Sequence, residues 1–181
     1  MRGAGVERIE TERTGDKLSV IIHSSRPGII IGRAGSGVED LNKQIEKILR
    51  KVRGNKKDAL PQFRLEVREI RNPETFASLV GLSIAEQIEK RMPFRRVMKQ
   101  SIDRIMKAGA SGVKVIVSGR LNGAEIANSE TLFWGKLPLH TLRAHIDFSR
   151  GVARTVAGAI GVKVWVYTGD VFNEKERRTK E

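Results

Sequence analysis

Cysteine is absent from this 181-residue chain, and long hydrophobic runs are absent too. Without cysteine, disulfides, thiol nucleophiles and zinc knuckles are excluded, as is typical of a reducing compartment. No apolar run approaches the roughly 20 residues of a membrane-spanning helix. The first fifteen residues contain three glutamates and no apolar core, so we expect them to be neither a signal peptide nor an acid-poor transit peptide. We expect a cytoplasmic protein with no membrane partner, no metal and no cofactor.

Aromatic residues are scarce, at 5% of the chain. RNA readers of the RRM and OB classes depend on aromatic rings on which bases stack, so this composition disfavours them. Positive charge is abundant instead. The net charge of +13 and the pI of about 10.5 indicate a polyanionic partner. It is concentrated in residues 26–57, with nine Lys/Arg against three acids, and in residues 89–107, with seven against two, which favours a nucleic-acid footprint.

A glycine loop, Gly32-Arg33-Ala34-Gly35, follows the apolar run Ile29 to Ile31 and precedes an amphipathic helix. Glycine at both ends allows a ligand backbone to approach closely and permits positive φ. The start of the following helix favours phosphate, and Arg33 adds a charge. This setting is typical of the G-x-x-G loop of KH domains, which clamps a nucleic-acid backbone. A tight helix–turn–helix connection without a ligand remains the alternative from the local pattern alone.

Two other glycine-loop sites are excluded by spacing. The dinucleotide-binding fingerprint reads G-x-G-x-x-G and the P-loop of nucleoside triphosphatases ends in G-K-[ST], and neither is present here. The helix after the loop has its own start signal, because Ser36 and Glu39 have the spacing of a capping box. Apolar residues from Val38 to Val52 recur every three or four positions and predict one buried stripe. Lys43 and Lys47 lie on the opposite, basic face.

The order of elements predicts an α+β protein with two domains, 1–71 and 72–172, and a frayed charged tail, 173–181. The first domain is predicted to be ββααβ, with strands at 6–12, 18–23 and 62–70. The second begins at Asn72-Pro73-Glu74, which is typical of a helix start. We expect helices over 73–91 and up to about 108, then a four-stranded, mostly antiparallel sheet. Its strands are predicted at 113–117, 124–133, 143–156 and 162–168, with Gly158 and Gly161 at the last turn.

Five segments in order are similar to the bacterial-type family of small-ribosomal-subunit protein three, the first of them resembling the core of a type II KH domain. They are PGIIIGRAG at 27–35, RMPFRRVMK at 91–99, VSGRLNGAEIA at 117–127, PLHTLRA at 138–144 and GVKVWV at 161–166. The resemblance covers nearly the whole chain from about residue 4 to 172. By this resemblance, we expect the first helix of the family's KH unit to be missing from this sequence.

The resemblance implies a structural protein on the head of the small ribosomal subunit. Its implied partners are 16S-type ribosomal RNA, neighbouring small-subunit proteins, and messenger RNA at the channel through which it enters. Arg95, Arg96 and Lys99 match family cations that face the entering messenger. Independently, their spacing puts them within a roughly 100° arc of one helix face. Further ribosomal RNA contacts are expected at Arg26, Arg120, Arg143 and Arg154, although the last three could equally pair with local acids.

Two other functional classes compete with the ribosomal interpretation. A free-standing KH regulator or ribosome assembly factor would be expected to add a G domain, tandem KH copies or a disordered tail. A nuclease or lyase would have to use His23, His140 or His145 with an acid such as Asp147. No metal-ligand spacing or nucleophile–base pair supports that chemistry, so we expect no enzymatic activity.

Overall fold

The computed structural model describes residues 2–15, 17–53 and 62–172, which fall into two units that meet in the chain between Arg71 and Asn72. The predicted tail at 173–181 lies outside the described residues. None of the described helices is both long enough and apolar enough to cross a membrane.

The first unit has the predicted ββααβ order. Strands β1 and β2 form an antiparallel hairpin, and β3 pairs in parallel with β2, so the sheet order is β1-β2-β3. The two helices connect β2 to β3, because a parallel pair requires a crossover. The elements are β1 Val6–Thr14, β2 Lys17–Ser24, α1 Pro27–Ile31, α2 Ser36–Arg53 and β3 Gln62–Glu69.

The core of the first unit is small. Among the described residues its buried apolar cluster is Ala4, Ile22 and Ile30, with half-buried neighbours such as Leu41 of α2. The apolar stripe of α2 was predicted to be wholly buried, and this is wrong for Ile48, which is 59% exposed. Helix α2 contacts α1 and β3 and leaves part of its stripe uncovered.

The second unit places two helices on a four-stranded sheet, as predicted. All strand pairs are antiparallel, and the strand order is β5-β4-β7-β6. Helix α3 packs mainly on β6 and β7, and α4 packs on β4 and β5. The elements are α3 Ala77–Glu89, α4 Phe94–Lys107, β4 Gly112–Gly119, β5 Asn128–Gly135, β6 Ala144–Thr155 and β7 Gly158–Asp170.

A much larger core holds the second unit together. Alternate valines of β4 and β7, among them Val115 and Val164, are fully buried against helix residues such as Ile84 and Ile105. Since side chains alternate across a strand, the residues between these valines face away from the helices. One face of the sheet is thus the core, and the other is open to a ligand or to solvent.

The predicted start of the first helix in this unit is wrong. Residues Pro73–Thr75 form a separate 3-10 turn, Phe76 is extended with ψ 116°, and α3 begins at Ala77. No side chain of the turn caps the helix. Instead the backbone N–H of Ala77 donates to Oδ2 of Asp147 at 2.6 Å. The cap comes from β6, 70 positions away in the chain, which no local pattern indicates.

All four strands of this unit differ in their bounds from the predictions, and β4 covers Gly112–Gly119 against the predicted 113–117. Strand β5 begins at Asn128 rather than at 124, because residues Leu121–Gly123 form a 3-10 turn in which Asn122 has φ 55°. Strand β6 covers Ala144–Thr155, against the predicted 143–156. Strand β7 begins at Gly158, so Gly158 and Gly161 belong to the strand and the turn lies at residues 156–157.

Candidate nucleic-acid interface

The glycine loop connects α1 to α2 through three positive-φ residues. Gly32 ends α1 with φ 71°, and Gly35 precedes α2 with φ 84°. Between them Ala34 has φ 51°, an unusual conformation for a residue with a Cβ. The chain therefore makes a tight turn within four residues, and Arg33 and Ala34 are exposed in it.

The two glycines of the loop have different surroundings. A Cβ on Gly32 would lie 2.9 Å from the backbone nitrogen of Gly37, whereas one on Gly35 would meet nothing within 4 Å. Gly32 therefore serves the packing of the chain on itself, and Gly35 is the one beside open space. The sequence pattern missed Gly37, whose Cβ would lie 2.3 Å from the carbonyl oxygen of Ile30. The signal that could have indicated this close packing is that Gly37 is the third glycine of the G-x-x-G-x-G pattern.

The predicted capping box is wrong. Ser36 has φ −55° and ψ −35°, which are helical values, so it is the first residue of α2 rather than a non-helical cap. The backbone N–H of Ser36 donates to the carbonyl of Arg33 inside the loop. The remaining N–H groups of the first turn of an α-helix have no partner within the helix, and they lie at the loop.

The cations predicted to bind RNA in this unit lie just before α1, in the loop and along α2. Arg26, Arg33, Lys43 and Lys47 are all exposed, and no ion pair is found for them among the described residues. Lys43 is about 10 Å further along the helix axis than Ser36, at 1.5 Å per residue. Arg33 is therefore the charge at the loop, while the two lysines, one turn apart, extend the positive surface along the helix.

Helix α4 carries the second predicted cluster on an exposed face. Arg95, Arg96 and Lys99 are all exposed, while Val97 of the same turn is fully buried. Arg95 donates from Nη2 to Oε1 of Glu130 in β5 at 2.6 Å, and its guanidinium lies 5.7 Å from the Phe94 ring centre. Arg96 and Lys99 have no ion pair within the described part of the chain, so they are the more available of the three.

Two predicted RNA-contacting arginines bind their own chain. Arg120 donates from Nε to the carbonyl of Ala124 at 2.8 Å and from Nη1 to that of Ala157 at 3.1 Å. Its guanidinium therefore links the segment before β5 to the turn between β6 and β7 through their backbone oxygens. Arg143 lies 3.3 Å from Asp170 and over the ring of Phe172. Arg143 therefore pairs with a local acid, Asp170, as anticipated. Arg120 binds backbone carbonyl oxygens in place of the anticipated acid. Arg154 is exposed, and its backbone N–H donates to Glu89.

Three of the four residues that an enzyme would require lie within 3.3 Å of a polar group of their own unit. His23 lies 3.3 Å from Glu10, His145 is hydrogen-bonded to Thr168 at 2.7 Å, and Asp147 caps α3. His140 is exposed. No cluster of three or more potential metal ligands occurs in residues 2–15, 17–53 and 62–172.

Comparison with known proteins covers both units. Residues 1–75 match the KH domain family, and residues 84–166 match the family described as ribosomal protein S3, C-terminal domain. Small ribosomal subunit protein uS3 of Caldicellulosiruptor saccharolyticus is 50% identical over 172 residues, 95% of this chain and 73% of the relative. That of Desulforamulus reducens is 47% identical over 174 residues, 96% of this chain and 74% of the relative. That of Koribacter versatilis is 47% identical over 178 residues, 98% of this chain and 75% of the relative.

Proposed function

Because this chain belongs to the family of small ribosomal subunit protein uS3, we propose that it uses two separate surfaces, the glycine loop for ribosomal RNA and α4 for incoming messenger RNA. The family comprises structural constituents of the small subunit, not enzymes, and their partners are ribosomal RNA and other ribosomal proteins. Within that shared role, the proposal assigns particular residues to each nucleic acid.

The open approach at Gly35 carries the first assignment. A nucleic-acid backbone can approach this loop because, among the described residues other than its chain neighbours, no atom lies within 4 Å of where a Cβ on Gly35 would be. Arg33 in the loop provides charge, and the start of the 18-residue helix α2 favours phosphate. We assign Lys43 and Lys47 of α2 to contacts further along the same RNA. We assign Arg26, which directly precedes α1, to a contact with this RNA on the other side of the loop.

The second assignment concerns the exposed face of α4. A single strand held by Arg96 and Lys99, with Arg95 beside them, would be kept from re-pairing while the ribosome moves along it. Such an effect requires charge and position and no nucleotide hydrolysis. Messenger RNA is polyanionic, so three cations on one helix face are complementary to it.

Charge reversal tests the loop assignment. Arg33→Asp with Ala34→Asp should weaken binding of a 16S-type ribosomal RNA transcript and lower the salt dependence of its affinity, because a phosphate contact is lost. Lys17→Asp with Thr11→Asp makes the same net-charge change in the β1–β2 hairpin and is the matched control. Equal losses in both variants would attribute the effect to overall charge and remove the loop from the site.

Translation through structured messengers tests the α4 assignment. Small subunits reconstituted with Arg95→Ala/Arg96→Ala/Lys99→Ala should assemble normally and elongate more slowly on hairpin templates than on unstructured ones. Lys90→Ala/Arg104→Ala/Lys107→Ala removes three other cations, one directly after α3 and two in α4, and is the control. A triple variant that is equally fast on both templates would refute the assignment.

Sedimentation of a cell extract separates this function from a free-standing regulator. Stoichiometric migration with the small subunit is expected at moderate salt. A predominant free pool would instead favour the regulator or assembly-factor alternative.

A further inference from the structure

The open face of the four-stranded sheet in the second unit, called here the outer face, is turned away from α3 and α4. It carries the residues that alternate with the buried valines. None of the cations assigned above to messenger RNA is on it, because α4 covers the opposite side of the sheet. Its strand positions are Ser129, Thr131 and Phe133 of β5; Lys114, Ile116 and Ser118 of β4; Gly161, Lys163, Trp165 and Tyr167 of β7; and Ile146, Phe148, Arg150, Val152 and Arg154 of β6.

One row of this face carries an aromatic ring on three of the four strands and a lysine on the fourth. The register aligns Phe133 with Lys114, Lys114 with Trp165, and Trp165 with Phe148. The Phe148 and Trp165 ring centres are 4.9 Å apart, and Nζ of Lys114 lies 5.6 Å from the Trp165 ring centre. Phe133 is 76% exposed and Phe148 51% exposed. Rings this exposed contribute little to the core, so their location requires another explanation.

The neighbouring row adds charge of one sign. Lys163 and Arg150 pair across β7 and β6, and both are exposed. The outer-face strand positions named above include four cations and no carboxylate. Asp170, at the end of β7, already accepts a hydrogen bond from Tyr167 at 2.7 Å and pairs with Arg143. The face therefore combines stacking surfaces with uncompensated positive charge.

We propose that the outer face binds single-stranded RNA, with bases stacked on Phe133, Phe148 and Trp165 and phosphates near Lys163 and Arg150. With strands about 4.8 Å apart, a row across four strands extends about 14 Å. That length accommodates two or three splayed bases, the number that an aromatic-bearing four-stranded sheet holds in RRM domains. A depression of about 410 Å³ beside Phe133, also lined by Lys114, Thr131 and Leu139, extends the surface at the β5 edge.

Single-stranded RNA fits this face better than a protein partner does. Lysine is depleted in the centres of protein–protein interfaces, because burying an ammonium group without a counter-charge is costly. Here Lys114 and Lys163 occupy the two central strands. A nucleic-acid strand supplies both the phosphates for these charges and the flat apolar surfaces for the rings.

Fluorescence of Trp165 in the full-length chain provides the test. In a Trp134→Phe background, Trp165 is the only tryptophan, and titration with a short single-stranded oligouridylate should quench its emission saturably. Phe133→Leu or Phe148→Leu should each weaken this binding about 5- to 150-fold, the fold-change that corresponds to one lost stack. Lys163→Gln should lower the slope of log affinity against log salt by about 0.7, as for one lost phosphate contact on a single strand. Phe172→Leu removes an aromatic side chain that is 70% exposed and lies beyond the end of β7, outside the proposed row of stacking rings, and it should change nothing.

The same titration in the Arg33→Asp/Ala34→Asp variant separates this site from the glycine loop. Quenching of Trp165 that persists in this variant supports a second RNA site, whatever happens to total RNA binding. Emission that never changes while the chain still binds RNA would overturn the proposal and leave the loop assignment intact. If it never changes and the phenylalanine variants instead lose binding to small-subunit proteins, the face docks protein and the RNA proposal is wrong.

Discussion

At the scale of single residues, close packing rather than charge decides which glycines of the first unit are replaceable. Gly37 lies under the carbonyl of Ile30, and Gly32 lies against the backbone of Gly37. Neither contact involves a ligand. A methyl group at either position would separate α1 from α2, because the neighbouring atoms are backbone and cannot rotate away.

Gly37→Ala should lower the free energy of unfolding by about 1–3 kcal/mol, the usual cost of overpacking. Its Cβ would lie 2.3 Å from the carbonyl oxygen of Ile30. Gly28→Ala is the matched control, since Gly28 is also the second residue of a helix and its Cβ would meet nothing within 4 Å. The control should be neutral or stabilising by up to about 1 kcal/mol. Urea midpoints measure both, and equal midpoints for the two variants would show that the α1–α2 contact is not tight.

A second residue-scale prediction concerns the restraint on Arg95. Glu130→Gln removes the carboxylate that holds this guanidinium at 2.6 Å. We expect tighter binding of single-stranded RNA to the full chain, with a steeper salt dependence, because one more cation becomes available. Adding Arg95→Ala to the variant should cancel the gain. A gain that survives the second substitution would mean that Glu130 acts through general repulsion of the RNA.

At the scale of elements, the start of α3 depends on a residue in another element. Oδ2 of Asp147 in β6 accepts the N–H of Ala77, the first residue of α3. An anionic cap also interacts favourably with the positive end of the helix dipole. This contact ties α3 to the edge strand of the sheet on which it packs.

Asp147→Ala should lower the free energy of unfolding by about 1–2 kcal/mol. Asp147→Asn, which keeps an acceptor oxygen, should lose less. Asp103→Ala removes an exposed carboxylate from α4 and is the control, with little expected change. Thermal unfolding of the three variants provides the measurement. If Asp147→Ala and Asp103→Ala are equally stable, the side chain does not hold the helix start.

At the scale of the whole molecule, the two units differ in how much apolar surface they bury. The described residues of the first unit include one cluster of three buried apolar residues, and those of the second include a cluster of twenty. Hydrophobic stabilisation increases with buried area, so local opening should require less free energy in the first unit.

Hydrogen exchange of the full chain, followed by mass spectrometry, tests this difference. Amides of β1, β2 and β3 should exchange faster than those of β4 and β7 at the same pH and temperature. Addition of ribosomal RNA should slow exchange in the first unit, because binding to the folded state stabilises it. Uniform protection across both sheets would contradict the expectation from core size.

The order of elements and the placement of charge were predictable from the sequence, because both depend on neighbours a few residues apart. Alternating valines indicated β4 and β7, and the period of three to four indicated α2 and α4. The α+β class and the ribosomal family are confirmed, while the roles of Arg33 and Lys99 stay predictions. The start of α3 was wrong because its cap is 70 positions away, and the capping box was wrong because Ser36 continues the helical turn.

By itself the sequence determined that the chain is basic, cysteine-free and built from a glycine-loop unit followed by a helix-and-sheet unit. Only the tertiary structure decided which glycine of the loop has open space beside it. It also decided that Arg95 pairs with Glu130 and that Arg120 binds backbone carbonyls of two loops. It also placed Phe133, Phe148, Trp165 and Tyr167, four of the nine aromatic residues, on one face of a sheet, where a low average content conceals a local concentration. Composition is an average over the chain, whereas a binding surface depends on strand register, which brings residues distant in sequence to one place.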